Sequence, residues 1–181
     1  MLRWFDRRFT FDYPSELASS IVERLRGTPV RLRARLQCLS RDVLLRPDPL
    51  AHDQSEARGG GWSIQEHVGH LLDLEPLWVG RLDDFEAGAE RLRPADLTNA
   101  RTHEADHNDA SLDALLDAFQ AARGEHVARL EALDSHNFAR EALHPRLEQS
   151  MRLVDSCYFV AEHDDHHLAV ITRLLSGERS A

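Results

Sequence analysis

The sequence predicts an all-α protein, built as a four-helix bundle. Apolar residues recur at helical spacing in four long stretches. Polar segments rich in Gly and Pro separate these stretches. We find neither a convincing strand pattern nor an internal repeat. Amphipathic helices bury their apolar stripes against one another, so four of them in a chain of this size favour one bundle.

The composition limits the class of protein. The chain has 181 residues, enough for the single domain that we predict over residues 1–181. Its net charge of −9 argues against a nucleic-acid partner. No apolar run is long enough to cross a membrane, so we expect no membrane partner. The N-terminus lacks the apolar stretch of a signal peptide, so we expect a cytoplasmic protein.

The first part of the chain predicts an arm and a broken helix. Residues 1–13 are aromatic and basic, which is typical of an irregular N-terminal arm that packs on the body. The first helix is predicted over about 15–44, with a break near 27–29. There Gly-Thr-Pro interrupts the pattern, and Thr28 is suited to cap a second helical piece. A polar linker is predicted over 46–61.

Three further helices follow the linker. The second is predicted over 63–87, because Ser63 and Glu66 have the spacing of a capping box at its start. The third is predicted over 110–133 and the fourth over 151–176, each from its apolar stripe. The four helices together account for most of the chain.

The fourth helix carries two histidines that point towards the core. His163 and His167 are four residues apart, so they lie one turn apart on one face. The same face carries Val160 and Ile171. Imidazoles in an apolar core are costly unless they are paired, and one divalent metal can bind both rings.

The second helix offers a third ligand. His70 shares an apolar stripe with Leu74 and Leu77, so it also points inward and could meet His163 and His167. A single inward histidine is more often a hydrogen-bonded core residue, and a purely structural role stays open. Three neutral imidazoles with an open fourth position are typical of a catalytic or substrate-binding metal site. Zinc and nickel are the ions expected in a purified sample, and iron and manganese are also compatible.

Several other residues are candidates for the surroundings of this site. His144 precedes Pro145, which favours an extended backbone at the mouth of the site. His103 and His107 lie in a polar stretch and are predicted to be solvated. Candidates that could support the ligands or line the pocket are Glu66, His67, Asp164, His166 and His144. Of these, His67 could also replace His70 as the ligand.

Two spaced motifs resemble a known family. The motifs are Trp62-Ser63-x-x-Glu66-x-x-x-His70-Leu71 and His163-Asp164-x-x-His167-Leu168-Ala169. They resemble the DinB-like (DinB/YfiT) superfamily of metal-dependent enzymes, over about residues 15–176. The resemblance implies an up-down-down-up bundle with a long crossover connection, often a homodimer. It also implies a divalent metal bound by His70, His163 and His167. Val170 departs from the pattern, because members often have glutamine there.

The resemblance leaves the reaction open. It implies a small-molecule substrate, and either a thiol-dependent S-transferase that uses a low-molecular-weight thiol or a small-molecule hydrolase. In the first, the metal would favour a thiolate nucleophile, and in the second it would activate water. The alternative is a non-catalytic, stress-linked bundle that binds a metal or another ligand. The sequence contains no Gly-rich phosphate loop, nucleophile elbow or HExxH motif.

Overall fold

The structure is a computed structural model that describes residues 1–49 and 61–177. Within these ranges, two short helices, α2 (Arg41–Leu44) and α4 (Ala100–Glu104), lie in the connections of a four-helix bundle. None of the described helices is both long and apolar enough to cross a membrane. Most of the predicted linker over 46–61 lies outside the described residues. The bundle consists of α1 (Ala18–Leu36), α3 (Ile64–Glu86), α5 (Leu112–Glu131) and α6 (Leu153–Ser176).

Contacts between the long helices define an up-down-down-up topology, as predicted. Helices α1 and α6 run one way, and α3 and α5 run the other way. Parallel α3 and α5 are possible because a long connection over 87–111 returns the chain to the end of the bundle at which α3 begins. The contacts that fix these directions are Arg26–Glu131 and Arg33–Asp117 (α1 with α5), Arg24–Asp165 and Arg35–Thr172 (α1 with α6), and Glu75–Arg123 and Glu86–Arg129 (α3 with α5).

A layer of buried polar residues divides the core into two apolar clusters. Each long helix contributes one residue to this polar layer, which consists of Thr28, Glu75, Arg123 and Asp164. One apolar cluster lies on each side of it along every helix. The first includes Leu25, Trp78, Val127 and Val160, and the second includes Leu32, Val68, Phe119 and Leu168.

The predicted break near 27–29 is wrong, because α1 runs without interruption through Pro29. Proline has no backbone N–H, so the carbonyl of Leu25 loses its helical partner. Arg123 Nη1 donates to that carbonyl oxygen instead, at 3.2 Å. The polar layer therefore supplies the hydrogen bond that the proline removes. The chain leaves the helix only after Leu36, where Cys38 has a φ of 69°.

The prediction that the chain has no strand is also wrong. Strands β1 (Glu141–His144) and β2 (Gln149–Arg152) form an antiparallel hairpin just before α6. Ala142, His144 and Met151 are its buried residues. Four-residue strands are too short to give a clear alternating pattern in the sequence. The fourth helix consequently begins at Leu153 instead of 151.

The first helix also ends earlier than predicted, at Leu36 instead of about residue 44, and the short helix α2 follows separately. The other helix boundaries lie close to those predicted. The capping box of α3 is present, because Ser63 Oγ accepts from the Glu66 backbone N–H and the Glu66 carboxylate accepts from the Ser63 N–H. The N-terminal arm is irregular apart from a short 3₁₀ turn at Trp4–Asp6. Four of its five aromatic residues pack on the first apolar cluster, and Phe5 is exposed. The single domain over 1–181 stays a prediction.

Candidate metal centre

Three imidazoles meet between α3 and α6. The antiparallel pairing of these helices brings His70 beside His163 and His167, and all three side chains are buried. One ring nitrogen from each lies within 4.8 Å of the others. Within this cluster, His163 Nε2 and His167 Nε2 are 3.2 Å apart. His70, which is far away in the sequence, therefore joins His163 and His167 in one cluster.

The cluster fits a divalent metal ion. Two nitrogens that each lie about 2.0–2.1 Å from a tetrahedral ion are roughly 3.3 Å apart, close to the 3.2 Å between His163 Nε2 and His167 Nε2. Within the described residues, His163 Nδ1 is buried without a hydrogen-bond partner, so it leaves the lone pair of Nε2 free once it carries the ring proton. A cation satisfies facing lone pairs that would otherwise repel each other.

The three imidazoles are neutral near pH 7. Burial is the main cause that lowers the pKa of His70 to about 3, and the neighbouring His67 contributes. Burial also lowers the pKa values of His163 and His167 well below the usual value, with a further contribution from the other rings of the cluster. Metal binding needs unprotonated imidazole, so protons compete little at this site near neutral pH.

A hydrogen-bond chain orients His70. Its Nδ1 donates to Thr102 Oγ1 at 3.1 Å, and that hydroxyl donates to Asp73 Oδ2 at 2.9 Å. His107 Nε2 also lies 2.8 Å from Asp73 Oδ2. Because Nδ1 carries the proton in this chain, Nε2 of His70 keeps its lone pair for a metal. Helix α4 contributes Thr102, so the connection between α3 and α5 supports the site.

His67 contacts the ring of His167. His67 Nδ1 lies 2.8 Å from His167 Nδ1, which leaves His167 Nε2 to face the cluster. His67 is therefore a partner of His167 and is not part of the three-histidine cluster. The Trp62 ring covers this side, at 4.5 Å from the His70 ring and 6.2 Å from the His167 ring.

The N-terminal arm covers the opposite side of the cluster. The Trp4 ring lies edge-on to His163 with 4.9 Å between the ring centroids. Arg7 Nη2 donates to His166 Nδ1 at 3.2 Å and so ties the arm to α6. His166 is half-buried at the edge of the site, beside Trp4. Two tryptophans thus shield the imidazoles from water.

The other candidates occupy different places. The Glu66 carboxylate closes the capping box of α3, and the described hydrogen bonds of Asp164 go to Arg123 and Thr28, so neither orients an imidazole of the cluster. His144 is buried on β1 against Phe159.

The expected solvation of the 103/107 pair is wrong for His107, which is buried against Asp73. His103 is half-buried beside Trp62. His107 and Asp73 are far apart in the sequence, and His107 lies in a long connection between helices. Their contact therefore leaves no periodic signal in the sequence.

The charged centre of the polar layer was not predicted from the sequence. Arg123 is only 1% exposed and donates to two carboxylates. Its shortest hydrogen bond to Glu75 is 2.6 Å long, and its shortest to Asp164 is 2.5 Å long. Thr28 also donates to Asp164, at 2.8 Å. A signal was present, because Arg123 lies on the apolar stripe of α5 between Phe119 and Val127. Asp164 follows His163 directly, so this network fixes the part of α6 that carries the cluster.

Gly69 allows His107 to approach α3. A Cβ at this position would lie 2.2 Å from His107 Cγ. We expect Gly69→Ala to lower the free energy of unfolding by about 1–3 kcal/mol through overpacking. Displacing His107 also disturbs Asp73, so metal affinity should fall by about tenfold. Urea unfolding and a metal titration measure the two effects.

Gly124→Ala is the matched control, because nothing lies within 4 Å of a Cβ there. It should stabilise α5 by about 0.5–1 kcal/mol, as expected for alanine in place of glycine inside a helix. Equal behaviour of the two variants would contradict the close approach of His107 to Gly69.

The fold and the site together define a helical bundle with a buried three-histidine centre. A model of the DinB superfamily matches residues 24–171, and the chain belongs to this superfamily. The YfiT protein of Bacillus subtilis (strain 168), described as a probable metal-dependent hydrolase, is 25% identical over 154 residues, which are 84% of this chain and 81% of YfiT.

Solved structures show the same fold. The structure of Bacillus subtilis YfiT, described as having an unusual four-helix bundle topology, has a TM-score of 0.72 with 23% identity, and the match covers 93% of this chain and 91% of that one. A mycothiol-dependent maleylpyruvate isomerase has a TM-score of 0.63 with 12% identity. That match covers 88% of this chain and 62% of the isomerase.

Proposed function

We propose that this protein is a metal-dependent hydrolase of a small molecule, with His70, His163 and His167 as the metal ligands. The observation that carries the proposal is the cluster of three buried, neutral imidazoles. Among the described residues, the cluster contains no fourth ligand from a His, Cys, Asp or Glu side chain, as in a catalytic site with an open position. The similarity to YfiT supports hydrolysis as the reaction.

The protein side chains prepare the site for this chemistry. A divalent ion bound there would lower the pKa of a water or thiol and supply a nucleophile near neutral pH. Thr102 holds the ring of His70 in the tautomer that binds a metal, and His67 would do the same for His167 by accepting from its Nδ1–H. Trp4 and Trp62 limit the access of bulk water.

The proposal is tested with the full chain, a panel of p-nitrophenyl esters and an aryl halide electrophile. We expect ester hydrolysis that a chelator abolishes and a divalent metal restores, without added thiol. His70→Ala should lower this activity by about 100-fold or more, whereas His136→Ala, at an exposed position, should leave it unchanged.

The rival activities give different results in the same assay. Turnover of the aryl halide only with a low-molecular-weight thiol would identify an S-transferase and overturn the hydrolase proposal. A metal-loaded protein with no turnover of either substrate class would identify a non-catalytic binding bundle. The identity of the ion, the homodimer and the cytoplasmic location stay predictions.

A further inference from the structure

Beside the metal centre, buried hydrogen-bond donors lack acceptors. Within the described residues, Trp78 Nε1 and Arg146 Nη2 are buried without a hydrogen-bond partner, and so is His163 Nδ1. The Trp78 ring lies 5.9 Å from the His163 ring. The Arg81 guanidinium lies over the Trp78 ring, 5.4 Å from its centroid, and Arg81 Nη1 lies 3.2 Å from His144 Nε2. His144 ends β1, and Arg146 lies in the turn that follows it. Buried donors are almost always paired in proteins, so unpaired ones near each other indicate an absent acceptor.

His144 shows the same excess of donors. Its Nδ1 accepts from the Leu147 N–H, at 3.2 Å, and its Nε2 faces Arg81 Nη1, also at 3.2 Å. Burial, with the charges of Arg81 and Arg146, lowers the pKa of His144 to about 3, so the ring is neutral near pH 7. A neutral imidazole has one acceptor nitrogen, so it cannot accept both hydrogen bonds.

The positive charge at this place also lacks a direct ion-pair partner among the described residues, because Asp84, whose charge also acts on Arg81, is paired with Arg93. Arg81 is 3% exposed, and its described side-chain partners are His144 and the Arg93 carbonyl. No described carboxylate lies within ion-pair distance of Arg81 or Arg146. Burial lowers the pKa of Arg81 to about 10 and also lowers that of Arg146. Arg123 is equally buried but bridges two carboxylates, and its pKa is raised.

We propose that Arg146 and Trp78, backed by Arg81 and His144, bind an oxyanion of the substrate beside the metal centre, most simply a carboxylate. A carboxylate only accepts hydrogen bonds and carries the missing negative charge, and a guanidinium can bind it with two parallel bonds. In one respect this inference rests on the proposed function, because it takes the anion to be part of the hydrolase substrate.

The N-terminal arm contacts the proposed oxyanion site. The Arg146 guanidinium lies over the Phe5 ring, 5.2 Å from its centroid, and Phe5 is 55% exposed. Trp4, the preceding residue, lies against His163. The same arm therefore covers the oxyanion site and the metal centre.

The test uses the full chain after metal removal with a chelator, because acetate could otherwise bind a metal directly. Sodium acetate, acetamide and inorganic phosphate are titrated separately, with calorimetry and tryptophan fluorescence as readouts. Acetate should bind at least about tenfold more tightly than acetamide, its neutral counterpart, as expected for charge-assisted hydrogen bonds. Phosphate binding more tightly than acetate would support the site and assign it to a phosphoryl group.

Two variants locate the binding. Arg146→Gln should weaken acetate binding by about tenfold or more. Trp78→Phe keeps the ring, removes the N–H donor and should weaken binding by a smaller factor. The control is Arg91→Gln, because Arg91 is exposed and paired with Glu148 at 2.8 Å. This variant should bind acetate as tightly as the natural protein does.

The outcomes separate this inference from the proposed function. Acetate binding that depends on Arg146 in a protein that binds no metal would support the oxyanion site and overturn the metal proposal. A protein that binds a metal but does not distinguish acetate from acetamide, or that binds acetate equally well in both site variants, would overturn the oxyanion site alone.

Discussion

Replacing His163 and His167 together with alanine is expected to reduce the metal content of the purified protein from about one divalent ion per chain to near zero. The cause is geometric, because the two Nε2 atoms lie 3.2 Å apart and only His70 would remain in the cluster. A single imidazole does not hold an ion against water and buffer. Elemental analysis after growth with added zinc or nickel measures the loss.

The matched control is His126→Ala. His126 is a buried histidine on α5 that does not belong to the three-histidine cluster, so this variant tests the loss of a core imidazole without removing a ligand. Its metal content should equal that of the natural protein, with circular dichroism to verify that both variants fold. Equal, negligible metal in all three proteins would overturn the metal site and favour histidines with a structural role.

Replacing Arg123 with methionine is expected to lower the free energy of unfolding by about 3–5 kcal/mol. The substitution leaves the carboxylates of Glu75 and Asp164 buried without their cation, and a broken buried ion pair has a cost of this size. The carbonyl of Leu25, which Pro29 leaves without a helical partner, also loses its donor. Urea unfolding at pH 7 measures the change.

The effect of this substitution should depend on pH. Burial without Arg123 would raise the pKa values of Glu75 and Asp164 above those of the unfolded chain. Protonation then favours the folded state, so the difference from the natural protein should shrink as the pH falls from 7 to 5. Arg129→Met, at a half-exposed ion pair on the same helix, should cost about 0–1 kcal/mol at both pH values. A constant deficit for the Arg123 variant would contradict uncompensated buried carboxylates.

The bundle could be predicted because its apolar stripes repeat at helical spacing. The continuity of α1 could not, since the donor that replaces the N–H lost at Pro29 comes from Arg123, nearly a hundred residues later. The β-hairpin was missed because each strand has only four residues. Local sequence patterns therefore identify long helices, but not the long-range hydrogen bonds that replace the one a proline removes.

Part of the candidate site was also visible in the sequence. The spacing of His163 and His167 placed them on one buried face, and the structure brings His70 to them. Thr102 could not be predicted as the partner of His70, because it lies on the five-residue helix α4, where no periodicity relates it to α3. Arg123 could have been found as the one charged residue on the apolar stripe of α5.

The polar layer also fixes the axial alignment of the helices. A slip of α6 by one turn, about 5.4 Å, would place Val160 or Leu168 opposite Arg123 in place of Asp164. Such a slip would bury Arg123 against an aliphatic side chain. Only one axial position of α6 therefore pairs Arg123 with Asp164. That position sets the height of His163 relative to α3, which means that an ion pair outside the metal centre determines where its ligands meet.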